Sequence, residues 1–425
     1  MDDKKKSKAT EQYGGHRHTE SVKINRFVYR LATAVTGTFS RVFFKCKYLR
    51  NEIRGKKGPF VVIANHQAAY DFVNLIRATK KPMHFVISES FYETLPVKNV
   101  LKRMGVIPKQ QFQTSLRDLK KMKTVIDEGK ILVIYPAGLM CEDGLSTPIP
   151  EATYQFLKWI KADIYMAKTM GTYFAMPKWS MGIRRGKTYM DVYKLFSLEE
   201  LENMELDEVK ARTEEAMLFD AYREQEKLLV KYKHGSKIEG LEKVLYICPN
   251  CRSVHTMRVR DKSVICCEKC GFAEQSDEYG FLHKISEVGE EVRYVSDWSK
   301  YIHGVVKDTV LRNPDVDISC PSNIYVIDKK KHKFVPAGVA DVRLTCNHFH
   351  IDGVISGEER SITVATSSFA SMPFKPAKYM EIQHNEEIFR CVPKEPRQVM
   401  EIVHTVKVLY ELHTQANERI VPRHE

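Results

Sequence analysis

The 425-residue sequence predicts an α/β layered sheet with helices, followed by a cysteine-rich module and a small α+β, PH-like C-terminal domain. Three observations carry this prediction. Short, continuous apolar runs at 60–64, 83–87 and 131–135 alternate with helix-like stretches, as buried parallel strands do when helices cover both faces. Five of the ten cysteines fall between Cys248 and Cys270. Between 323 and 392 the pattern changes to short strand-like runs, and Pro396 then opens one long periodic run reaching Leu412. The expected units are a basic, disordered tail over 1–20, an α/β domain over 21–240, the cysteine module over 241–285 and the C-terminal domain over 286–425.

The elements follow in order. Residues 22–45 place Phe27, Leu31, Val35 and Phe39 at helical spacing, interrupted by Arg26, Arg30 and Arg41. Such a helix either packs on the domain or lies in a membrane interface. The first sixty residues hold fifteen Lys and Arg against five Asp and Glu, while the whole chain carries +13. The remainder is therefore nearly neutral, and the basic end suggests an anionic partner, a phospholipid surface or a nucleic acid. Helices are expected around 70–78 and 97–104. Ser115 is a good N-cap for a helix to about Glu128, with Gly129 ending it. A helix at 152–161 leads to a strand at 164–167, and a charged helical stretch at 198–232 closes the domain.

No stretch of eighteen apolar residues occurs, so no transmembrane helix is expected. The opening Asp2-Asp3-Lys4-Lys5-Lys6 is followed by no apolar core and does not read as a secretory signal. One cysteine cluster among scattered single cysteines suits a reducing cytoplasm. The expected location is cytoplasmic, peripheral to the inner face of a membrane.

Asn65-His66-Gln67-Ala68-Ala69-Tyr70-Asp71 directly follows the first apolar run. A strand end entering a helix is where open α/β folds place chemistry. With His66 in the turn and Asp71 in the first helical turn, the carboxylate can accept from one imidazole nitrogen. That sets the tautomer and raises the basicity of the other nitrogen, which can then take a proton from a hydroxyl. The alkoxide-like oxygen would attack a thioester carbonyl, the substrate's hydroxyl standing where serine stands in a triad. A covalent acyl-enzyme is not required.

The same residues resemble the first motif, N-H-x-x-x-x-D, of the lysophosphatidate acyltransferase family. Leu101-Lys102-Arg103-Met104-Gly105-Val106-Ile107-Pro108 is similar to its second motif, and Tyr135-Pro136-Ala137-Gly138-Leu139-Met140 to its third, F-P-E-G-T-R. Segments 171–179 and 184–187 resemble the end of that domain in bacterial members, and the likeness extends from about Ser21 to Lys231. The resemblance implies an O-acyltransferase that moves a fatty acyl chain from acyl-CoA or acyl-carrier protein to a lyso-glycerolipid hydroxyl at an anionic membrane surface. His66 is then the general base, Asp71 orients it, and Asn65 supports the turn. Arg103, Lys109, Pro136 and Gly138 are candidate substrate-binding residues, with backbone amides after Pro136, eased by Gly138, supplying an oxyanion site. The family's motif-three glutamate and arginine are here Ala137 and Met140, and Gln110 and Gln111 stand where a basic residue usually follows Ile-Pro. Phosphate recognition needs Arg or Lys, so the acceptor is open. The alternative is a non-catalytic lipid- or nucleic-acid-binding protein on this scaffold.

Cys248-Pro249-Asn250-Cys251 and Cys267-Glu268-Lys269-Cys270 are C-x-x-C pairs separated by fifteen residues, the spacing of a zinc ribbon. Four thiolates fill a tetrahedral site, so the expected zinc is structural, with Cys266 a bystander. Basic and acidic residues around the pairs balance, and nucleic acid is not expected there.

Overall fold

The structure, a computed structural model, describes residues 21–110, 115–233, 235, 237–370, 372–385 and 387–420, with side chains to residue 414. The expected tail at 1–20 and Gln111 lie outside the described residues.

The N-terminal domain is built on strands β1 (Lys47–Asn51), β2 (Phe60–Ala64), β3 (Met83–Ser88), β4 (Ile107–Lys109), β5 (Ile131–Ile134), β6 (Asp163–Met170) and β7 (Tyr189–Phe196). Their spatial order is β1-β7-β6-β2-β5-β3-β4. The five strands from β6 to β4 are mutually parallel, while β7 runs antiparallel to β6 and parallel to β1. Alternate residues of β2 reach opposite cores. Val61 and Ile63 join Leu132, Ile134, Ile164 and Met166 on one face. Phe60 and Val62 join Ile131, Val133, Tyr165 and Ala167 on the other. Burial on both faces explains why these runs read as continuously apolar. Strands β1 and β7 escape that reading because β1 is largely exposed and β7 alternates half-buried and buried positions.

Helices α1 (Arg26–Phe39), α2 (Asp71–Leu75), α3 (Glu89–Thr94), α4 (Lys98–Arg103), α5 (Leu116–Asp127), α6 (Ala152–Trp159) and α7 (Thr172–Ala175) connect or flank the strands. Ser115 caps α5 by accepting from Asp118 N, and Gly129 follows it with φ +73°. The single stretch expected at 198–232 is instead three helices, α8 (Leu198–Asn203), α9 (Leu206–Met217) and α10 (Ala221–Leu228). Each has its own cap, at Ser197, Glu205 and Asp220, which restarts the helix and breaks the run.

The cysteine module is a four-stranded antiparallel sheet of β8 (Met257–Arg260), β9 (Val264–Cys267), β10 (Ala273–Ser276) and β11 (Leu282–Lys284). After α11 (Val295–Arg312) come β12 (Asp317–Asp328), β13 (Lys333–Thr345), β14 (His348–Ile355), β15 (Glu358–Ala365), β16 (Phe374–Lys375), β17 (Tyr379–His384) and β18 (Glu387–Pro393). They form a seven-stranded antiparallel sheet in the order β15-β14-β13-β12-β18-β17-β16, closed by α12 (Gln398–Ile420). Seven antiparallel strands and one terminal helix make the small α+β domain.

These units are not beads on a string. One continuous apolar core runs from Tyr173, Phe174 and Trp179 through Leu245, Phe272 and Trp298 to Phe349, Phe389 and Val403. The C-terminal modules therefore pack directly against the carboxyl edge of the parallel strands.

Candidate active site

Five parallel strands deliver their carboxyl ends to one edge. His66 follows β2 there, Tyr135 and Pro136 follow β5, Glu89 follows β3, and Gln110 follows β4. His66 Nδ1 lies 3.0 Å from Asp71 Oδ2. Asp71 is fully buried, and the same oxygen accepts from Gln67 N (2.7 Å) and Ala68 N (2.9 Å). A carboxylate with two backbone donors acts only as an acceptor, so the proton sits on His66 Nδ1 and the Nε2 lone pair is left for chemistry. The His66 side chain keeps 21% of its surface open, enough to meet a substrate. Its ring lies against Tyr135 at 4.5 Å. Burial and the nearby Asp71 charge push the Tyr135 phenol well above its ordinary range, so it serves as a neutral wall.

Asn65 holds the strand end. Its Oδ1 accepts from Thr169 N (2.7 Å) and its Nδ2 donates to Thr169 O (2.9 Å), tying β2 to β6. Both polar groups of this buried amide are thus engaged with backbone, so Asn65 positions His66 rather than touching substrate. Gln67 adds a second tie, its Oε1 accepting from Thr172 Oγ1 and Tyr173 N.

Cys141 N donates to His66 O at 3.1 Å. Its thiol is buried, and burial followed by the Asp143 and Glu142 charges pushes it far above the ordinary value. A buried thiol held protonated is a poor nucleophile.

The remaining sequence candidates divide. Lys109 ends β4 at the His66 edge, its Nζ donating to Gln110 O at 3.0 Å and its pKa lowered by burial. Pro136 lies at the edge, half-buried. Gly138 (φ +67°) donates its N–H to Tyr135 O at 2.9 Å, closing a turn, so that amide is not the oxyanion donor expected from the motif. Arg103 is also corrected. It ends α4 before β4 begins, and His84 near the start of β3 meets Gly105 O at 2.9 Å. Arg103 therefore lies at the amino edge of the parallel strands, beside Lys23, Asn25 and Lys102, away from His66.

Sequence reasoning missed a buried ionic network behind the third motif. Lys178 Nζ donates to Met140 O at 3.3 Å and stands 3.4 Å over the Phe374 ring. Lys407 of α12 pairs with buried Glu142, and Ser299 Oγ donates to Asp143 Oδ2 at 2.5 Å. Burial alone would raise the Glu142 carboxyl, but the Lys407 and Lys178 ammoniums prevail and hold it at about 2. Burial pulls Lys178 down to about 8. The acidic pair Glu142-Asp143 was visible in sequence. Its partners, up to 265 residues away, were not.

Comparison with known proteins bears on the first domain. Residues 45–179 match the protein-family model described as Acyltransferase. That segment, about a third of the chain, is similar to acyltransferases. A solved structure, the 1-acyl-sn-glycerophosphate acyltransferase of Thermotoga maritima, is similar at 17% identity and a TM-score of 0.39, over 47% of this chain and 81% of that one. No curated protein matches the chain. The matched acyltransferase segment contains Asn65, His66, Asp71, Lys109, Pro136 and Gly138. It stops before the cysteine module.

In that module, Cys248, Cys251, Cys267 and Cys270 gather with all four Sγ atoms within 4.8 Å of one another. Cys248 and Cys270 are 3.7 Å apart, as are Cys251 and Cys267. Four sulfurs about 2.3 Å from a tetrahedral zinc would be roughly 3.8 Å apart, so the set fits such an ion. Cys266 is outside the cluster because successive side chains of β9 point to opposite faces. Among the described residues, no helix is long and apolar enough to cross a membrane.

Proposed function

We propose that the protein transfers a fatty acyl chain from a thioester, acyl-CoA or acyl-carrier protein, to the hydroxyl of a lyso-glycerolipid. The His66–Asp71 pair at the carboxyl edge is the observation that carries this reading. His66 Nε2 takes the hydroxyl proton as the oxygen attacks the thioester carbonyl. The tetrahedral intermediate then expels the thiolate as the C–S bond breaks, and the imidazolium returns the proton to the sulfur. Asp71 stabilises the imidazolium throughout.

The acceptor approaches from a membrane. Helix α1 leaves Phe27 (76%), Leu31 (59%) and Val35 (62%) exposed at four-residue intervals, with exposed Arg26, Arg30 and Arg41 nearby. An apolar stripe with flanking cations suits an anionic lipid surface. Phe27→Glu with Leu31→Glu should abolish sedimentation with phosphatidylglycerol vesicles. Unchanged sedimentation would remove this part of the proposal.

The cysteine cluster holds one structural zinc. Its four protein ligands leave no open position, so its contribution is to folding of the module.

The deciding experiment offers labelled acyl-CoA and a panel of lyso-lipids to wild type and His66→Ala. Transfer to at least one acceptor, lost in the variant, is expected; a variant that retains activity refutes the mechanism. Ala137 and Met140, in place of the family's charged residues, favour a second reading as a non-catalytic binding protein. Silence across all acceptors together with zinc-dependent nucleic-acid binding would select it.

A further inference from the structure

The C-terminal domain contributes a wall to the catalytic edge. A cavity of about 290 Å³ lies between Glu89, Ser90 and Gln110 of the acyltransferase domain and residues of β15, β17 and β18. Glu89 follows β3, and the order β2-β5-β3 puts β3 two strands from β2. At about 4.8 Å per strand, the cavity begins roughly 10 Å from the end of β2, where His66 stands. Ser90 Oγ donates to Glu381 Oε2 at 3.3 Å, joining the two domains across the cavity.

Its lining is chemically selective. Gln110, Thr363, Gln383 and Asn385 present amides and a hydroxyl, beside the carboxylates of Glu89 and Glu381. Phe369 and Ile388 supply an apolar floor. Among the described lining residues there is no Lys or Arg, and His384 is the one titratable base. Cations beside the lining are engaged: Arg390 donates to Glu381 Oε1 through Nε (3.0 Å) and Nη2 (2.6 Å), Lys329 lies 4.0 Å from Glu89, and Lys109 Nζ donates to Gln110 O (3.0 Å). A phosphate monoester would meet carboxylates already paired with cations and no free guanidinium fork. Vicinal hydroxyls both donate and accept, and amide and carboxylate side chains match them. The volume suits a head group rather than an acyl chain.

We infer that this cavity receives the acceptor's head group, and that the head group is an uncharged polyol, a glycosyl or glyceryl unit, rather than a phosphate monoester. The inference rests on the acyl-transfer reading for its place in a reaction, and it makes the C-terminal domain part of the substrate site. Gln383 on β17 is the specificity residue it singles out, remote in sequence from the matched acyltransferase segment.

The test uses the full chain with monoacyl galactosylglycerol and lysophosphatidate of the same acyl chain. The galactolipid should be the better acceptor. Gln383→Leu should raise its KM about tenfold, the loss of one or two hydrogen bonds, with a smaller effect on kcat. Preference for lysophosphatidate, or an unchanged galactolipid KM in the variant, overturns the assignment. Calorimetric binding of octyl galactoside to wild type and Gln383→Leu separates the two levels. Binding that depends on Gln383 without any turnover supports the cavity and refutes acyl transfer. Absence of binding overturns the cavity, whatever the turnover.

Discussion

Asp71→Asn tests the proton-transfer pair most directly. The carboxylate oxygen lies 3.0 Å from His66 Nδ1 and is fully buried, so its charge acts on a developing imidazolium with little screening. At an effective dielectric constant near 20, opposite charges about 4 Å apart attract by roughly 4 kcal/mol. Asparagine keeps an oxygen for the Gln67 and Ala68 amides, so the turn should survive. It loses the charge, while the same oxygen can still accept from His66 Nδ1. At about 1.4 kcal/mol per decade, kcat should fall about 10³-fold while acceptor KM changes little. Thiol release from acyl-CoA, followed with a thiol-reactive dye, measures this, with circular dichroism confirming the fold. Activity within tenfold of wild type would refute the role assigned to Asp71.

Two further outcomes follow from the structure. Chelation, or Cys267→Ser, should release one zinc per chain to a chromogenic indicator. Because the ribbon shares its core with Tyr173 and Phe174, it should also lower the melting midpoint of the acyltransferase domain; an unchanged midpoint would show the module to be energetically separate. The buried histidines should withdraw stability in acid, while the Glu224 and Glu274 carboxyls, raised to about 7 by burial, act the other way. Burial lowers His84 to about 4, and burial together with Lys407 lowers His404 to about 3, both below the ordinary value of 6.5. As pH falls through 6.5 the unfolded chain takes up protons that the folded chain refuses. The stabilisation is thus full above 6.5 and lost towards 4. Between pH 7 and 5, guanidinium midpoints should fall less, or rise more, in His404→Gln than in wild type; parallel profiles would contradict the burial of a neutral His404.

Much of the acyltransferase domain was legible because its signals are local. β2 and β5 are buried on both faces, so they read as unbroken apolar runs. Ser115 and Gly129 announce the ends of α5 by capping chemistry. β1 and β7 were not legible, since their partly exposed faces imitate loop composition. The charged stretch from 198 was read as one helix because caps at Ser197, Glu205 and Asp220 resemble ordinary polar surface until their backbone partners are known.

The sequence by itself brought His66 to Asp71 and gathered the four cysteines. His66 and Asp71 are five residues apart, so one turn can join them, and each C-x-x-C knuckle closes on itself. Only the tertiary structure decided what surrounds them. Parallel strand order sends Arg103 to the amino edge and Lys109 to the carboxyl edge, although they are six residues apart. Thr169 reaches Asn65 across 104 residues, and Lys407 reaches Glu142 across 265. Such partners depend on strand register and on the shared core. No local pattern encodes them, and so the acceptor's surroundings had to be read from the fold.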